Sequence, residues 1–279
     1  MLFIRQSTLQ LCQTALLVVF CLTSVVASAG NEYIGSDTCD ECHAEQVKLW
    51  QGSHHDLAMQ RASDETVLAD FNDTTFVYAG IASTFYKKNG RFMVRTDGPD
   101  GKLHDYEIKY TFGVAPLQQY LVELDNGRLQ VLTIAWDTRD KKEGGQRWFH
   151  LYPDEEITYT DELHWTRTNF NWNGMCAECH STNLNKNYDS ASDTFKSSWS
   201  EIDVSCEACH GPASKHVTWA KKETGWEAFS ENKGLPVLLD ERKDAHWTIN
   251  GKTGNAKRST ERSTEKEIEV CAQCHSRRS

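Results

Sequence analysis

The feature that most constrains this chain is a five-residue pattern, C-x-x-C-H, which occurs four times. The copies span Cys39–His43, Cys176–His180, Cys206–His210 and Cys271–His275. The pattern is the attachment site of c-type haem, in which two cysteine thiols bind the vinyl groups and the adjacent histidine ligates the iron. Residues three and four apart share one face of a helical turn, so two sulfurs and an imidazole can reach one porphyrin edge.

Two other uses of paired cysteines fit this pattern less well. Zinc ribbons need paired C-x-x-C units but not a histidine at the next position, which all four copies have. A thioredoxin-like redox motif is expected once, beside a βαβ pattern. We therefore predict four covalently attached haem c groups with iron as the metal. The predicted haem-binding residues are Cys39, Cys42, His43, Cys176, Cys179, His180, Cys206, Cys209, His210, Cys271, Cys274 and His275.

Residues 1–29 have the composition of a secretory signal peptide. Arg5 is their only charge, an apolar run covers residues 15–22, and Ala27–Ser28–Ala29 supplies an A-x-A cleavage site. A retained membrane anchor is the alternative, but the run is short for a membrane span. Since c-type haem is attached on the exported side, we predict a periplasmic protein with no stable membrane insertion after signal cleavage.

Composition limits the partners and the core. The formal net charge of −10 argues against nucleic acid and favours basic or neutral redox partner proteins, although solubility alone also explains it. Hydrophobic residues make up only 39% of the chain, which is lean for this length. We expect the four macrocycles to supply the missing apolar core, so that the protein folds poorly without haem.

The stretch between the first two motifs contains no cysteine and is rich in β signals. Asn89–Gly90 and Asn126–Gly127 each separate two runs of alternating residues, which is the strongest local sign of a hairpin. We predict a signal peptide over 1–29, a first haem segment over 30–69, a β-rich insertion over 70–150 and a haem segment with three motifs over 151–279. The insertion either braces the haems or forms a docking or substrate surface.

The predicted fold class is α+β, a multihaem cytochrome c fold of short helices and loops around covalent haems, with an antiparallel β insertion. Residues 148–175 are rich in aromatic side chains, which either pack on porphyrin faces or form an ordinary aromatic core. The fourth motif ends close to the last residue, and we expect the sequence to be truncated there. Arg277 and Arg278 are candidates for pairing with haem propionates, or else form a solvated basic end.

Each low-spin iron needs a second axial ligand besides the motif histidine. The predicted proximal ligands are His43, His180, His210 and His275. His216 follows Gly211–Pro212, which ends the motif helix and turns the chain, so this histidine has the position of a ligand. The seven histidines outside the motifs are His54, His55, His104, His150, His164, His216 and His246.

The chain resembles multihaem c-type cytochromes of the family that includes the tetrahaem electron carrier of the ammonia-oxidation pathway. The likeness rests on the first motif with Trp50, His55 and Met59, and on Cys206–Pro212 with His216. It covers residues 39–60 and 175–220. It implies that His55 and His216 are distal ligands, ahead of His164 and His150. The β-rich stretch resembles larger periplasmic members, whose further haem motifs and tetratricopeptide repeats would lie beyond Ser279.

The resulting functional hypothesis is electron transfer between redox partners through bis-histidine haems. The family also includes sites with an open iron, so the alternative is a reductase acting on a small nitrogen compound. That enzyme would need acid–base groups beside the open iron, and His104 is one candidate. A third possibility is a scaffold whose haems sense redox state and whose missing C-terminal part recruits partners.

Overall fold

The computed structural model describes residues 30–276. The chain divides into one unit of residues 1–31 and a second of residues 32–279, and every helix and strand of the described residues belongs to the second. The predicted signal peptide, 1–29, and the predicted propionate partners Arg277 and Arg278 lie outside the described residues.

The described residues form short helices and a large number of strands. The helices are α1 (Ser36–Trp50), α2 (Trp172–Met175), α3 (Ala177–His180), α4 (Cys206–His210), α5 (Ser214–Lys221) and α6 (Lys266–His275). The strands are β1 (Met59–Arg61), β2 (Thr74–Tyr78), β3 (Ile81–Lys88), β4 (Arg91–Asp97), β5 (Leu103–Phe112), β6 (Leu117–Leu124), β7 (Arg128–Val131), β8 (Ile134–Asp137), β9 (Arg147–His150), β10 (Tyr188–Asp189), β11 (Thr194–Phe195), β12 (Trp247–Ile249) and β13 (Ala256–Arg258).

Strands β1 to β9 form one antiparallel sheet. Its order is β2-β3-β4-β5-β6-β8-β9, with β1 paired to the end of β5 and β7 paired to β6. Both Asn-Gly hairpins are confirmed. Lys88 pairs with Arg91 around Asn89–Gly90, where both residues have the positive φ that such a tight turn requires. The β6–β7 hairpin closes in the same way around residues 125–127.

The sheet curls so that its first and last strands touch. The ring of Tyr78 on β2 stacks on the imidazole of His150 on β9, with ring centres 3.6 Å apart and planes at 11°. The Tyr78 hydroxyl also donates a hydrogen bond to the carbonyl oxygen of Tyr152 at 2.9 Å. These contacts join the edges of the sheet and enclose its concave face.

Each face of the sheet has its own apolar core. Tyr120 and Val122 point to one face and Leu121 to the other, as alternation along a strand requires. The concave face holds Phe71, Phe85, Phe92, Val94, Ile108, Tyr120, Val122, Leu132, Ile134, Trp136, Trp148 and Trp165. On the opposite face Leu121, Leu129 and Val131 pack against Met59, Trp172 and Ala177.

The predicted fold class is therefore wrong. A large antiparallel sheet with two protein cores dominates the described chain, and the helices that carry the motifs are short additions to it. The prediction expected haem to supply much of the apolar core. Instead Trp148 and Trp165 pack in one protein core and Trp172 in the other, so these residues form ordinary aromatic cores. The predicted division into domains is not tested by this architecture and stays a prediction.

Candidate haem-binding site

Each C-x-x-C-H motif lies on or beside a helical turn. We number the motifs 1 to 4 in chain order. Motif 1 lies in α1, motif 3 is the whole of α4, and motif 4 forms the last turn of α6. In motif 2, Cys176 precedes α3, which ends at His180. His43 interrupts α1, with φ −119° and ψ 37°, so the helix kinks where the first motif ends.

The motifs lie close to one another although they are far apart in the sequence. The thiols of Cys39 in motif 1 and Cys206 in motif 3 are close enough to shift each other's pKa. Cys209 in motif 3 and Cys271 in motif 4 are near enough to interact electrostatically. Helix α1 also contacts α4, and α3 contacts α6. Cofactors attached to these cysteines would therefore be neighbours.

The cysteines are arranged for separate attachment and not for a shared metal site. All eight cysteines within residues 30–276 are free thiols. In the same part of the chain, no three His, Cys, Asp or Glu side chains converge as a zinc site requires. The zinc alternative therefore lacks a ligand set among these residues.

Two motif histidines face a second histidine from a distant part of the chain. The imidazole centres of His43 and His216 are 6.1 Å apart with planes at 23°. Those of His55 and His275 are 6.2 Å apart with planes at 67°. The first pair joins α1 to α5, and the second joins the turn after α1 to the end of α6.

Both spacings fit an iron atom between the two rings. A metal–imidazole bond is about 2 Å long and the ring centre lies roughly 1 Å beyond the nitrogen, so two rings on one iron have centres about 6 Å apart. Direct stacking would bring the centres much closer, as the 3.6 Å between Tyr78 and His150 illustrates. The residues present thus fit the axial ligation that a c-type haem needs.

Backbone carbonyls orient two of the motif-region imidazoles. His216 Nδ1 donates to the Lys233 carbonyl oxygen at 2.8 Å, and His210 Nδ1 donates to that of Val237 at 3.3 Å. A carbonyl can only accept, so Nδ1 carries the hydrogen in both rings and Nε2 keeps its lone pair. This is the arrangement of supporting hydrogen bonds typical of metal-ligating histidines.

His150 ends β9 and His164 lies in the turn region after it, where its ring bonds Asp97 at the end of β4. His150 Nδ1 accepts from the Tyr152 amide at 3.1 Å, and its Nε2 lies 2.9 Å from Thr133 Oγ1. Burial lowers the pKa of His150 to about 4, which keeps the ring neutral. His164 bonds Thr166 Oγ1 through Nδ1 at 2.8 Å and Asp97 Oδ2 through Nε2 at 3.1 Å.

Among the remaining histidines, His104 is exposed, with Nε2 2.9 Å from Asp100 Oδ1. His54 is exposed beside His55. Because both nitrogens of His150 and of His164 are engaged by other residues of the chain, the geometry favours His55 and His216 over these two as distal ligands.

Motif 2 is fastened to the sheet by buried amide side chains. Asn173, which is 1% exposed, accepts from the Leu129 amide at 2.7 Å and donates to the Gly127 carbonyl oxygen at 3.2 Å. Asn171 donates to Gln130 Oε1 at 3.0 Å and caps the short helix α2 at Gly174. Sequence reasoning missed these residues, because nothing local distinguishes a buried Asn or Gln from one in a surface loop.

The sheet also touches the ligand histidine of motif 2. The ring of Phe112, on β5, lies 4.4 Å from the His180 imidazole. Phe112 belongs to the same apolar cluster as Cys176. The sheet thus forms part of the wall around this motif, and Phe112 would border a haem attached there.

A buried carboxylate ties motif 3 to the start of α1. Glu207, between the two cysteines of motif 3, is 2% exposed and accepts from the amides of Ile34 at 3.0 Å, Gly35 at 2.8 Å and Ala213 at 2.9 Å. Glu201 accepts from the Ser36 amide at 3.0 Å. These bonds satisfy amides at the N-terminus of α1 that have no partner within the helix.

One further carboxyl near motifs 1 and 3 has a shifted pKa. Burial raises the pKa of Asp203 to about 7, and the carboxylates of Glu201 and Asp56 add to the rise. The neighbouring Val204 amide donates to the His55 carbonyl oxygen at 3.2 Å, so this group lies close to the His55 segment. The charge in this part of the site therefore changes near neutral pH.

Motif 4 borders a cavity of about 390 Å³ with two arginines in its wall. Ile268, Cys271 and His275 line it from one face of α6, and Arg242 and Arg262 line it from the preceding loop. Arg242 Nε donates to Glu267 Oε2 at 2.7 Å. Ile268, Cys271 and Ala272 make part of this lining apolar, and each arginine pairs with a glutamate, Arg242 with Glu267 and Arg262 with Glu265.

Comparison with protein families supports this interpretation of the site. The family model described as cytochrome c554 and c-prime matches residues 38–75 and 139–211. The match covers less than half of the chain, includes motifs 1 to 3 and omits most of the sheet and motif 4. No curated protein matches the chain. No solved structure matches it either.

The motifs and the family match define the class of protein. They support a c-type cytochrome with covalently bound haem c and its iron, and a role in electron transfer. The resemblance to a c-type cytochrome family is thereby confirmed at this level. Within residues 30–276, none of the helices has the length and apolar character that a membrane span requires.

Proposed function

We propose that this chain is a periplasmic tetrahaem c-type cytochrome that passes electrons between redox partner proteins. Its export would depend on the signal peptide at residues 1–29, cleaved after Ala29. Haem c supplies the one-electron chemistry when bound. Each haem would be attached through the two cysteines of its motif, with His43, His180, His210 and His275 as proximal ligands.

The observation that carries this proposal is the pairing of histidine rings at an iron-sized separation. His216 opposes His43 at 6.1 Å, and His55 opposes His275 at 6.2 Å. On this basis haem 1 has the axial pair His43/His216 and haem 4 has the pair His275/His55. Two strong axial ligands leave no open position on these irons, which suits electron transfer and not substrate binding.

The protein's residues would act by positioning. The proximity of Cys39 to Cys206 and the contact between α1 and α4 support a short separation between haems 1 and 3, and the proximity of Cys209 to Cys271 supports one between haems 3 and 4. Because His55 follows motif 1 yet faces motif 4, the chain crosses over itself between haems. Such crossing holds the four groups in one cluster, as rapid electron hopping needs.

The test is the EPR spectrum of the oxidised, haem-loaded protein with and without His216→Ala. Wild-type protein is expected to contain four haems per chain, and His216→Ala to convert one low-spin ferric signal to high spin. His104→Ala, which removes an exposed histidine bonded to Asp100, is the matched control and is expected to change nothing. An unchanged low-spin spectrum in His216→Ala would exclude this ligand assignment.

The two ring pairs also predict different spectra. Nearly parallel imidazoles, as in the 23° pair, give a rhombic low-spin signal, whereas rings closer to perpendicular, as in the 67° pair, give a more anisotropic one with a larger maximum g value. Optical spectra should accompany the EPR, since coupling between close haems blurs the count. A high-spin iron in wild-type protein that shifts with nitrite or hydroxylamine would instead support the reductase alternative.

A further inference from the structure

One short segment contacts ligand histidines of two different haems. Residues 232–237, which we name the strap, run past α4 and α5. The Lys233 carbonyl accepts from His216 Nδ1 at 2.8 Å, and the Val237 carbonyl accepts from His210 Nδ1 at 3.3 Å. The Val237 amide donates back to the His210 carbonyl oxygen at 3.2 Å. Under the proposed function, on which this inference rests, His216 belongs to haem 1 and His210 to haem 3.

The conformation of the strap is closely determined at its centre. Lys233 and Gly234 both have positive φ, at 55° and 75°. The side chain of Asn232 closes this turn by accepting from the Gly234 amide at 3.0 Å, and the Leu235 amide donates to the Asn232 carbonyl oxygen at 3.1 Å. A lysine with positive φ is uncommon, so this turn depends on its local hydrogen bonds and on its neighbours.

The strap is also pressed against the backbone that carries both ligands. A methyl group added at Gly234 would lie 2.4 Å from the carbonyl carbon of Lys215 and 2.6 Å from the amide nitrogen of His216. The ring of Pro236 lies against Gly211, directly after His210, at a distance that leaves no room for a side chain there. Any shift of the strap therefore reaches the segments holding His216 and His210.

We propose that the strap is a positioning element that sets the orientation and basicity of His216 on haem 1 and of His210 on haem 3 together. A hydrogen bond from Nδ1 to a carbonyl makes the imidazole a stronger electron donor, which stabilises ferric iron and lowers the reduction potential. Because the thiols of Cys39 and Cys206 lie near each other and α1 contacts α4, these two haems would be neighbours. One backbone element thus tunes an adjacent pair of redox centres.

The decisive variant is Gly234→Ala in the haem-loaded protein, compared with Gly225→Ala. Both glycines have positive φ, but a methyl group at Gly225 meets nothing within 4 Å, so the control adds backbone strain without displacing a neighbour. Redox titration of Gly234→Ala is expected to show that two of the four midpoint potentials rise. NMR shifts of the haem methyl groups, with the haem 1 signals identified from His216→Ala, are expected to change for haems 1 and 3. Gly225→Ala should match wild type.

A milder pair of variants keeps the inference testable if Gly234→Ala does not accumulate with haem. Asn232→Ala removes the acceptor that closes the turn, whereas Asn232→Ser keeps a neutral acceptor at that position. The Ala variant is expected to raise the same two potentials by a smaller amount, and the Ser variant to restore them towards wild type. If Asn232→Ala and Asn232→Ser both give wild-type potentials, the strap does not position these ligands.

These outcomes are distinct from a failure of the proposed function. Fewer than four haems in wild-type protein, or a low-spin spectrum unchanged in His216→Ala, would reject the function itself. If those tests succeed and Gly234→Ala alters one potential or none, only the inference about the strap is rejected.

Discussion

The sheet and the region around motif 4 are stabilised by different kinds of contact. Phe85, Val94, Tyr120 and Leu121 in the sheet are fully buried, whereas no residue from 235 to 276 is buried. The sheet obtains its stability from side chains that pack on one another. The region around motif 4 is held by hydrogen bonds and ion pairs at the surface, such as Arg262 with Glu265 at 3.2 Å. We therefore expect the region around motif 4 to depend on its cofactor more than the sheet does.

Removing the haems should separate the two regions most clearly. We expect the chain with all eight motif cysteines changed to alanine to keep protected amides in β3 to β6 and to lose protection over residues 206–276. Hydrogen exchange read by mass spectrometry measures both in one experiment. The expectation from composition, that the whole protein folds poorly without haem, would then hold for the haem segments alone. Equal loss of protection in the sheet would reject the distinction.

Truncating a core ring should affect the sheet far more than truncating an exposed apolar residue. Phe85→Ala removes a 0% exposed side chain whose ring stacks on Trp148 at 3.6 Å, and it should lower the free energy of unfolding by about 3–5 kcal/mol. Ile249→Ala, at a residue 76% exposed on β12, should change it by less than about 0.5 kcal/mol. Denaturant unfolding followed by near-ultraviolet circular dichroism compares the two, and similar losses would contradict the comparison.

Polar anchoring should matter most where motif 3 meets the start of α1. Glu207→Gln replaces one carboxylate oxygen by a donor that faces backbone amides, and should cost about 3 kcal/mol together with reduced haem content. Glu178→Gln alters the equivalent type of residue in motif 2, where the side chain is exposed and 3.8 Å from Lys186, and should be nearly neutral. Equal haem content and equal stability in both variants would rule out this role for Glu207.

The smallest expected effect is a pH dependence that comes from the sheet. Burial lowers the pKa of His150 from 6.5 to about 4, so the unfolded chain binds a proton between these values while the folded protein does not. The contribution of His150 to stability should therefore be complete above pH 6.5 and fall by about 1.4 kcal/mol for each pH unit as the pH drops from 6.5 towards 4. The electrostatic influence of His164 adds to this lowering of the His150 pKa, whereas the hydrogen bond to the Tyr152 backbone and the Asp97 carboxylate oppose it. In His150→Asn the loss of stability between pH 6.5 and pH 4 should disappear. A loss that persists in this variant would show that other titratable groups cause it.

Some elements were predictable because their signals are local. The hairpins at Asn89–Gly90 and Asn126–Gly127 depend on two residues that accept positive φ, and the structure has both turns. The overall fold was not predictable in this way. Trp148 and Trp172 are consistent with a porphyrin face or with a protein core, and only the pairing of distant strands decided in favour of the core.

The sequence by itself determined which cysteines and histidines can attach a haem, because that chemistry is complete within five residues. Only the tertiary structure decided which histidine faces which. His43 and His216, and likewise His55 and His275, meet across most of the chain, and no local spacing encodes such a contact. The same holds for the strap, where Lys233 and Val237 act through backbone carbonyls that every residue possesses. Their role arises from where the fold places them.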